Sequence, residues 1–314
     1  MWRHNRSQRA AFGLGAALVL AGPLTVALAG PAASAGITCG SVLTSGATAP
    51  TVYALSTNLT CPTGNAITVR GQDIVLDLKG RTLTGAGQGN GVLIDLDSSN
   101  VEVRNGTVRG FQYGVRIDTA TLNRVWNLTL TGNQRGMDIA NAGRNVLERN
   151  QITANRGDGI RFGGAGSRDN TARQNVISGN VWGVHVADGG IDNTVTQNQV
   201  SSSGNFGISV SGGSSGTTVS RNVVTDSGQE GILIVSNAGG GTVVGQNSVS
   251  GSAWDGIRVG TVDAPLPDAV VVQNTSTYNG FLGINAPGVT DGGGNVAYGN
   301  GNTLQCLGVV CSAG

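Results

Sequence analysis

The sequence predicts an all-β chain folded as a single-stranded right-handed parallel β-helix, a solenoid of about ten coils with capped ends, and three observations predict it. A unit Gly-Φ-x-Φ, with Φ apolar, recurs at Gly91, Gly114, Gly136, Gly159, Gly183, Gly207, Gly231, Gly256 and, weakened, Gly283, at spacings of 23, 22, 23, 24, 24, 24, 25 and 27. A second marker keeps the same phase: Asn105, Asn127, Asn150, Asn175, Asn198, Asn222, Asn247 and Asn274, with Asn300 beyond them, occur once per unit. Within units such as Gly183-Val184-His185-Val186 and Gly256-Ile257-Arg258-Val259, apolar residues alternate with period two and are largely β-branched, as strands require.

A period near 23 suits three short strands joined by turns, so that successive coils pair in parallel and stack like residues on like. The Φ side chains then point to the axis and fill a continuous core. Helical repeats are excluded by the density of Gly and Asn, and leucine-rich horseshoes by the missing Leu/Asn template. The Asn column has its own reason. At a sharp turn Asn tolerates the left-handed conformation, and its amide can bond to its equivalents one coil up and one coil down. These residues are therefore expected to be scaffold; Asn105, Asn127 and Asn274 also match N-x-[ST], but a laddered amide would be closed to glycosylation.

Along the chain, residues 1–35 read as a signal peptide: Arg3, Arg6 and Arg9 precede an apolar run from Ala10 to Ala29, and Ala33-Ser34-Ala35 offers a cleavage site. A secreted, extracellular protein is the expectation. Residues 36–66 read as an N-terminal cap, 67–294 as the β-helix and 295–314 as a C-terminal cap, because open ends would expose strand edges and core. In an oxidising compartment Cys39, Cys61, Cys306 and Cys311 read as two local disulfides, one at each end. About ten rungs at roughly 4.8 Å separate the two pairs by nearly 50 Å, which excludes cross-pairing.

Charge narrows the partners. The chain has 19 Lys and Arg against 18 Asp and Glu; three of the basic residues lie within 1–35, leaving 16 against 18. No nucleic-acid partner is expected from such a balance, and no later stretch is apolar and long enough for a membrane. Beyond residue 35 there is one His, one Met and four cysteines assigned to disulfides, so no metal and no cofactor are expected.

The stretch Ile74-Val75-Leu76-Asp77-Leu78-Lys79-Gly80-Arg81-Thr82-Leu83-Thr84-Gly85, followed by Val101-Glu102-Val103-Arg104-Asn105-Gly106-Thr107-Val108, resembles the opening coils of secreted right-handed parallel β-helix repeat proteins of the pectate-lyase-like superfamily. Those coils typically read L-D-L-N-G-H-T-I-x-G and V-x-V-R-N-G-T-V; here Lys79 and Arg81 replace the usual Asn and His. The resemblance covers the chain beyond the leader and implies the fold. Its members include lyases, polygalacturonases, alginate epimerases, tailspikes, adhesins and a copper-maturation protein, so it selects no single activity. The polygalacturonase signatures are missing, since Asn193-Thr194 is followed by Val195, and the D-P-H motif of alginate epimerases is approximated only by Asp263-Ala264-Pro265.

What remains is the outward row of the Gly-Φ-x-Φ strands: Leu93, Arg116, Asp138, Arg161, His185, Ser209, Leu233, Arg258 and Asn285. The residues before each Gly add a parallel row that includes Tyr113, Arg135, Asp158, Trp182, Phe206, Glu230 and Asp255, with Trp254 alongside. As a track for a polysaccharide, Trp182 and Phe206 would stack on sugars while Arg116, Arg161 and His185 hold its carboxylates, with Asp138 and Asp158 as further binding candidates. Arg161, His185, Glu230 and Asp255 are the candidates for catalysis, although His185 is expected on an exposed strand position and Asp138 fits a charge ladder. The expected function is an extracellular carbohydrate-binding or surface β-helix protein with no assured catalysis. The alternatives are a lyase, epimerase or glycoside hydrolase acting on an acidic polysaccharide, and a structural or adhesive protein.

Overall fold

A computed structural model describes residues 36–235 and 240–314; the leader assigned to 1–35 lies outside the described residues. Among the described residues every pairing between strands is parallel, and the chain winds as a right-handed β-helix with three strands per coil. The first sheet has twelve strands, from Ser41–Thr44 and Ile67–Arg70 through the nine Gly-Φ-x-Φ units to Cys306–Leu307. Register follows the repeat, with Val115, Met137, Ile160, Val184 and Ile208 stacked coil on coil. All five are fully buried, and burying an apolar side chain of this size is worth about 1.5–3 kcal/mol.

The unit glycine is fixed by crowding. A Cβ at Gly159 would stand 2.6 Å from the Gly183 carbonyl oxygen and 2.8 Å from Ile177 Cγ2. The next coil therefore approaches too closely for any side chain.

Three strands lie outside the nine units because they lack the glycine signature. Residues 36–66 contain Ser41–Thr44, Thr51–Ala54 and Leu59–Cys61, which pair with Ile67–Arg70, Ile74–Asp77 and Thr82–Gly85. Beyond residue 294, Asn295–Tyr298, Cys306–Leu307 and Cys311–Ser312 stack on the preceding coils in the same way. Both segments assigned to caps thus carry strands of the solenoid. Disulfides join Cys39 to Cys61 and Cys306 to Cys311.

Asparagine ladders line three corners. The longest runs Asn150, Asn175, Asn198, Asn222, Asn247, Asn274, Asn295. At each step one Oδ1 accepts both the backbone N–H and the Nδ2–H of the Asn a coil earlier, as Asn198 does from Asn175 at 3.0 Å each. The other Nδ2 hydrogen goes to a backbone carbonyl, for Asn198 that of Ala172 at 3.0 Å. A second ladder joins Asn123, Asn145, Asn170 and Asn193. A third joins Asn133, Asn155 and Asn180 and resumes at Asn279 and Asn300, with buried Ser203, Ser227 and Ser252 between.

Asn105 and Asn127 correct the expected column, since they stand one position early. Each has positive φ, 59° and 52°, and aligns with Arg149, Gln174 and Gln197, the left-handed residues that precede the ladder asparagines. In these two coils one strand, Glu102–Arg109 or Arg124–Thr131, runs unbroken through the corner. The inward position is taken by Gly106 and by buried Leu128, so the Asn occupies the bend. Asn300 likewise belongs to the third ladder, and the buried asparagines are not themselves left-handed.

On the second face Asp77, Arg104, Trp126, Glu148 and Arg173 are stacked in register. Burial pushes the Glu148 carboxyl up, but hydrogen bonds and charge from Arg124 and Arg173 outweigh it and hold the group below its ordinary value. Burial also opposes ionisation of Asp77, and the Lys79 N–H, Asn105 and Arg104 overcome it.

Candidate functional site

The first sheet places its outward residues as the repeat dictates. Leu93, Arg116, Asp138, Arg161, His185, Ser209, Leu233, Arg258 and Asn285 form one row. Tyr113 and Arg135 are paired in the neighbouring row, as are Asp158 and Trp182. The face divides into a charged part and an aromatic part.

In the charged part Asp138 is buried and ringed by guanidinium groups of Arg116 at 3.6 Å, Arg135 at 3.3 Å and Arg161 at 3.4 Å. Arg116 also pairs with Asp118 at 3.0 Å and lies over Tyr113, 5.0 Å from the ring centroid. Arg161 pairs with Asp188 as well. Arg116 and Arg161 are thus engaged with the protein's own carboxylates, which matches a charge ladder.

His185 overturns its expected exposure: only 7% of it is accessible. Its imidazole packs edge-on against Trp182 with centroids 4.1 Å apart, and Trp182 in turn lies 5.9 Å from Phe206. His185 Nε2 is 2.9 Å from Ser211 Oγ, and Nδ1 is 3.5 Å from Asp158 Oδ1. The other oxygen of Asp158 is held by Arg135 Nε at 2.9 Å.

In the aromatic part Trp254 and Phe281 are 47% and 57% exposed. With Asp255, Arg258, Asn285 and Asn302 they line a cavity of about 340 Å³. An adjoining cavity of about 260 Å³ shares Trp254 and Arg258 and adds Phe206, Glu230 and Leu233. Glu230 is buried and paired with Arg258 at 3.3 Å. Asp255 accepts the Leu282 N–H at 2.9 Å and the Asn285 amide at 2.8 Å. The sequence reading missed Phe281, Asn302 and Ser211. Phe281 had a signal, since it sits two residues before Gly283 as Trp254 does before Gly256, and its N–H bonds to the Trp254 carbonyl. Asn302 and Ser211 lie outside the repeated unit.

Comparison with known proteins gives two family matches: Right handed beta helix region over residues 65–224, and NosD, described as periplasmic copper-binding protein, over 164–301. Among solved structures the chain is similar to the Dettilon tailspike protein, with TM-score 0.65 and 15% identity over 86% of this chain and 60% of that one. It is similar to the periplasmic alginate epimerase AlgG, with TM-score 0.55 and 12% identity over 85% and 78%. It is also similar to an alginate lyase from Paenibacillus, with TM-score 0.50 and 14% identity over 87% and 98%. The chain spans 60% of the length of the tailspike chain. No curated protein sequence matches. At these identities the structural likeness shows the fold alone.

Proposed function

Because the chain belongs to the Right handed beta helix region family, whose match spans half of it, we propose that the face of its first sheet binds a polysaccharide. The observation that carries this reading is the pair of exposed aromatic planes, Trp254 and Phe281, beside Arg258, Asp255, Asn285 and Asn302 around one cavity. Aromatic surfaces flanked by a few polar groups suit sugar rings, which present both C–H faces and hydroxyls. The similarity to an alginate epimerase and an alginate lyase supports a glycan as the partner class. The two disulfides, together with matches described as periplasmic, support a place outside the cytoplasm. Residues 1–35 would then serve as the export signal.

Copper does not fit. Residues 164–301 contain one His, His185, and no Cys or Met, whereas copper requires imidazole or sulfur ligands in number. A lyase or epimerase centre on Arg161 or Glu230 has less support than binding, because both are committed to ion pairs.

The test is affinity electrophoresis through gels containing alginate, pectate, xylan or a neutral glucan. Retardation is expected on at least one, and Trp254→Ala or Phe281→Ala is expected to weaken it about tenfold, a loss of about 1.4 kcal/mol. Free migration through every glycan, or full retention of the double variant, would end this reading.

A further inference from the structure

The geometry points to an esterase centre on the same face, in which Ser211, His185 and Asp158 form a nucleophile, base and carboxylate relay that removes ester-linked acyl groups such as O-acetyl from a polysaccharide. The polysaccharide part rests on the reading above; the hydrolytic part stands on the three side chains alone. They come from three successive coils, 27 and 26 residues apart; Asp158 is stacked with Trp182 and His185 with Ser209, so the three meet along a diagonal across the coils.

Ser211 Oγ lies 2.9 Å from His185 Nε2. On the far side of the ring Nδ1 is buried and makes no hydrogen bond, and Asp158 Oδ1 stands 3.5 Å from it. A carboxylate facing Nδ1 favours the tautomer with the proton there, which leaves Nε2 to accept the Ser211 hydroxyl. The separation is longer than a formed hydrogen bond, and catalytic contacts of this kind often tighten only in the substrate complex. The remaining parts of the relay are fixed: Arg135 holds Asp158, and Trp182 packs edge-on against the imidazole. Ser211 follows the strand Ile208–Val210, is only partly buried, and has its backbone anchored by its N–H to the Val186 carbonyl at 2.9 Å. The next residue, Gly212, has φ +63°, and a Cβ there would meet the Asp188 backbone nitrogen at 2.6 Å. A tight turn requiring glycine thus fixes the chain just after the nucleophile.

The chemistry balances with water as the only co-reactant. Ser211 Oγ attacks the acyl carbonyl carbon as its proton passes to His185 Nε2. The ester C–O bond breaks, the departing sugar oxygen takes that proton, and the acyl group stays on Ser211. Water, deprotonated by Nε2, then attacks the acyl-serine and releases a carboxylic acid, restoring the Ser211 hydroxyl. Ser211 and His185 are the catalytic residues, and Asp158 is a positioning residue.

The test treats the full chain with a fluorophosphonate, locates the adduct by peptide mass spectrometry, and follows p-nitrophenyl acetate hydrolysis and acetate release from an acetylated glycan. The adduct is expected on Ser211. Ser211→Ala and His185→Ala are expected to lower kcat about 10²-fold or more, and Ser211→Ala should melt as the parent does. Asp158→Asn should lower kcat while KM stays within about twofold, a split that loss of packing alone would not give. An unlabelled Ser211, or undiminished turnover by Ser211→Ala, would overturn the proposal. Turnover of the small ester without retention on any glycan sinks only the polysaccharide reading, and retention without turnover sinks only the esterase.

Discussion

Replacing Asn198 by alanine isolates what one rung of the amide ladder contributes. The Asn198 side chain accepts the N–H and Nδ2–H of Asn175 and donates to Asn222 Oδ1 and to the Ala172 carbonyl. Its own backbone N–H keeps its bond to Asn222 after truncation, and Asn175 Nδ2 keeps the Leu147 carbonyl. Two donors are left orphaned in the interior, the backbone N–H and one Nδ2 hydrogen of Asn175, a residue 1% exposed, whereas the Ala172 carbonyl lies in a strand paired on both sides and keeps its ladder bond. A buried polar group stripped of its partner costs about 1–3 kcal/mol, so Asn198→Ala should lose about 2–6 kcal/mol. Asn127→Ala is the control, because that exposed amide donates only to Asn105 Oδ1. Its cost is that of an alanine held left-handed, about 1–2 kcal/mol. Guanidinium unfolding by circular dichroism gives the global loss. Hydrogen exchange at the Asn175 amide reports the local one, which matters because long repeat arrays can unfold in parts. A loss below about 1 kcal/mol for Asn198→Ala, or a greater loss for Asn127→Ala, would refute the reasoning.

Two further predictions concern the second face and the unit glycine. The depressed Glu148 carboxyl contributes stability that is present above its unfolded value of about 4.5 and is lost as pH falls through its lower folded value. Glu148→Gln should therefore be less stable at neutral pH yet lose less on acidification; urea midpoints falling in parallel for parent and variant would contradict this. Gly159→Ala forces a methyl against the Gly183 carbonyl and Ile177, which should cost about 1–3 kcal/mol and lower Tm by about 2 °C or more; an unchanged melting curve would show that the coils can part.

The solenoid was legible because its determinants are local and repeated. Glycine before an alternating apolar pair marks every coil from Gly91 to Gly283, and the pairing registers obey it. The corner was less legible. Asn127 and Asn150 look equivalent by spacing, yet whether the chain bends at the amide or one residue earlier depends on what fills the inward position, Leu128 in one coil and Asn150 in the next. The coils at Ser41–Thr44 and Cys306–Leu307 were hidden for the opposite reason, since they pair without the marker glycine. Least legible was the contact of His185 with Ser211. It is a diagonal reach between coils, set by side-chain direction and turn length, and nothing periodic announces it.

The longest column of amides also has a polarity. Every Nδ2 points toward the next coil and every Oδ1 toward the previous one, so the small dipoles add head to tail, as peptide units do in a helix. Such a column should end in a bare, partly positive donor at its C-terminal rung. There the Asn295 amide meets the Asp291 carboxylate at 3.3 Å, and hydrogen bonds from Val310, Gly293 and Asn295 hold that acid below its ordinary value. The third column stops the same way, with Asn300 donating to the Gln305 side-chain oxygen at 2.9 Å. A fibre-like stack of identical rungs would otherwise invite another copy to continue it. These two acceptors close the sequence of donors on the molecule itself.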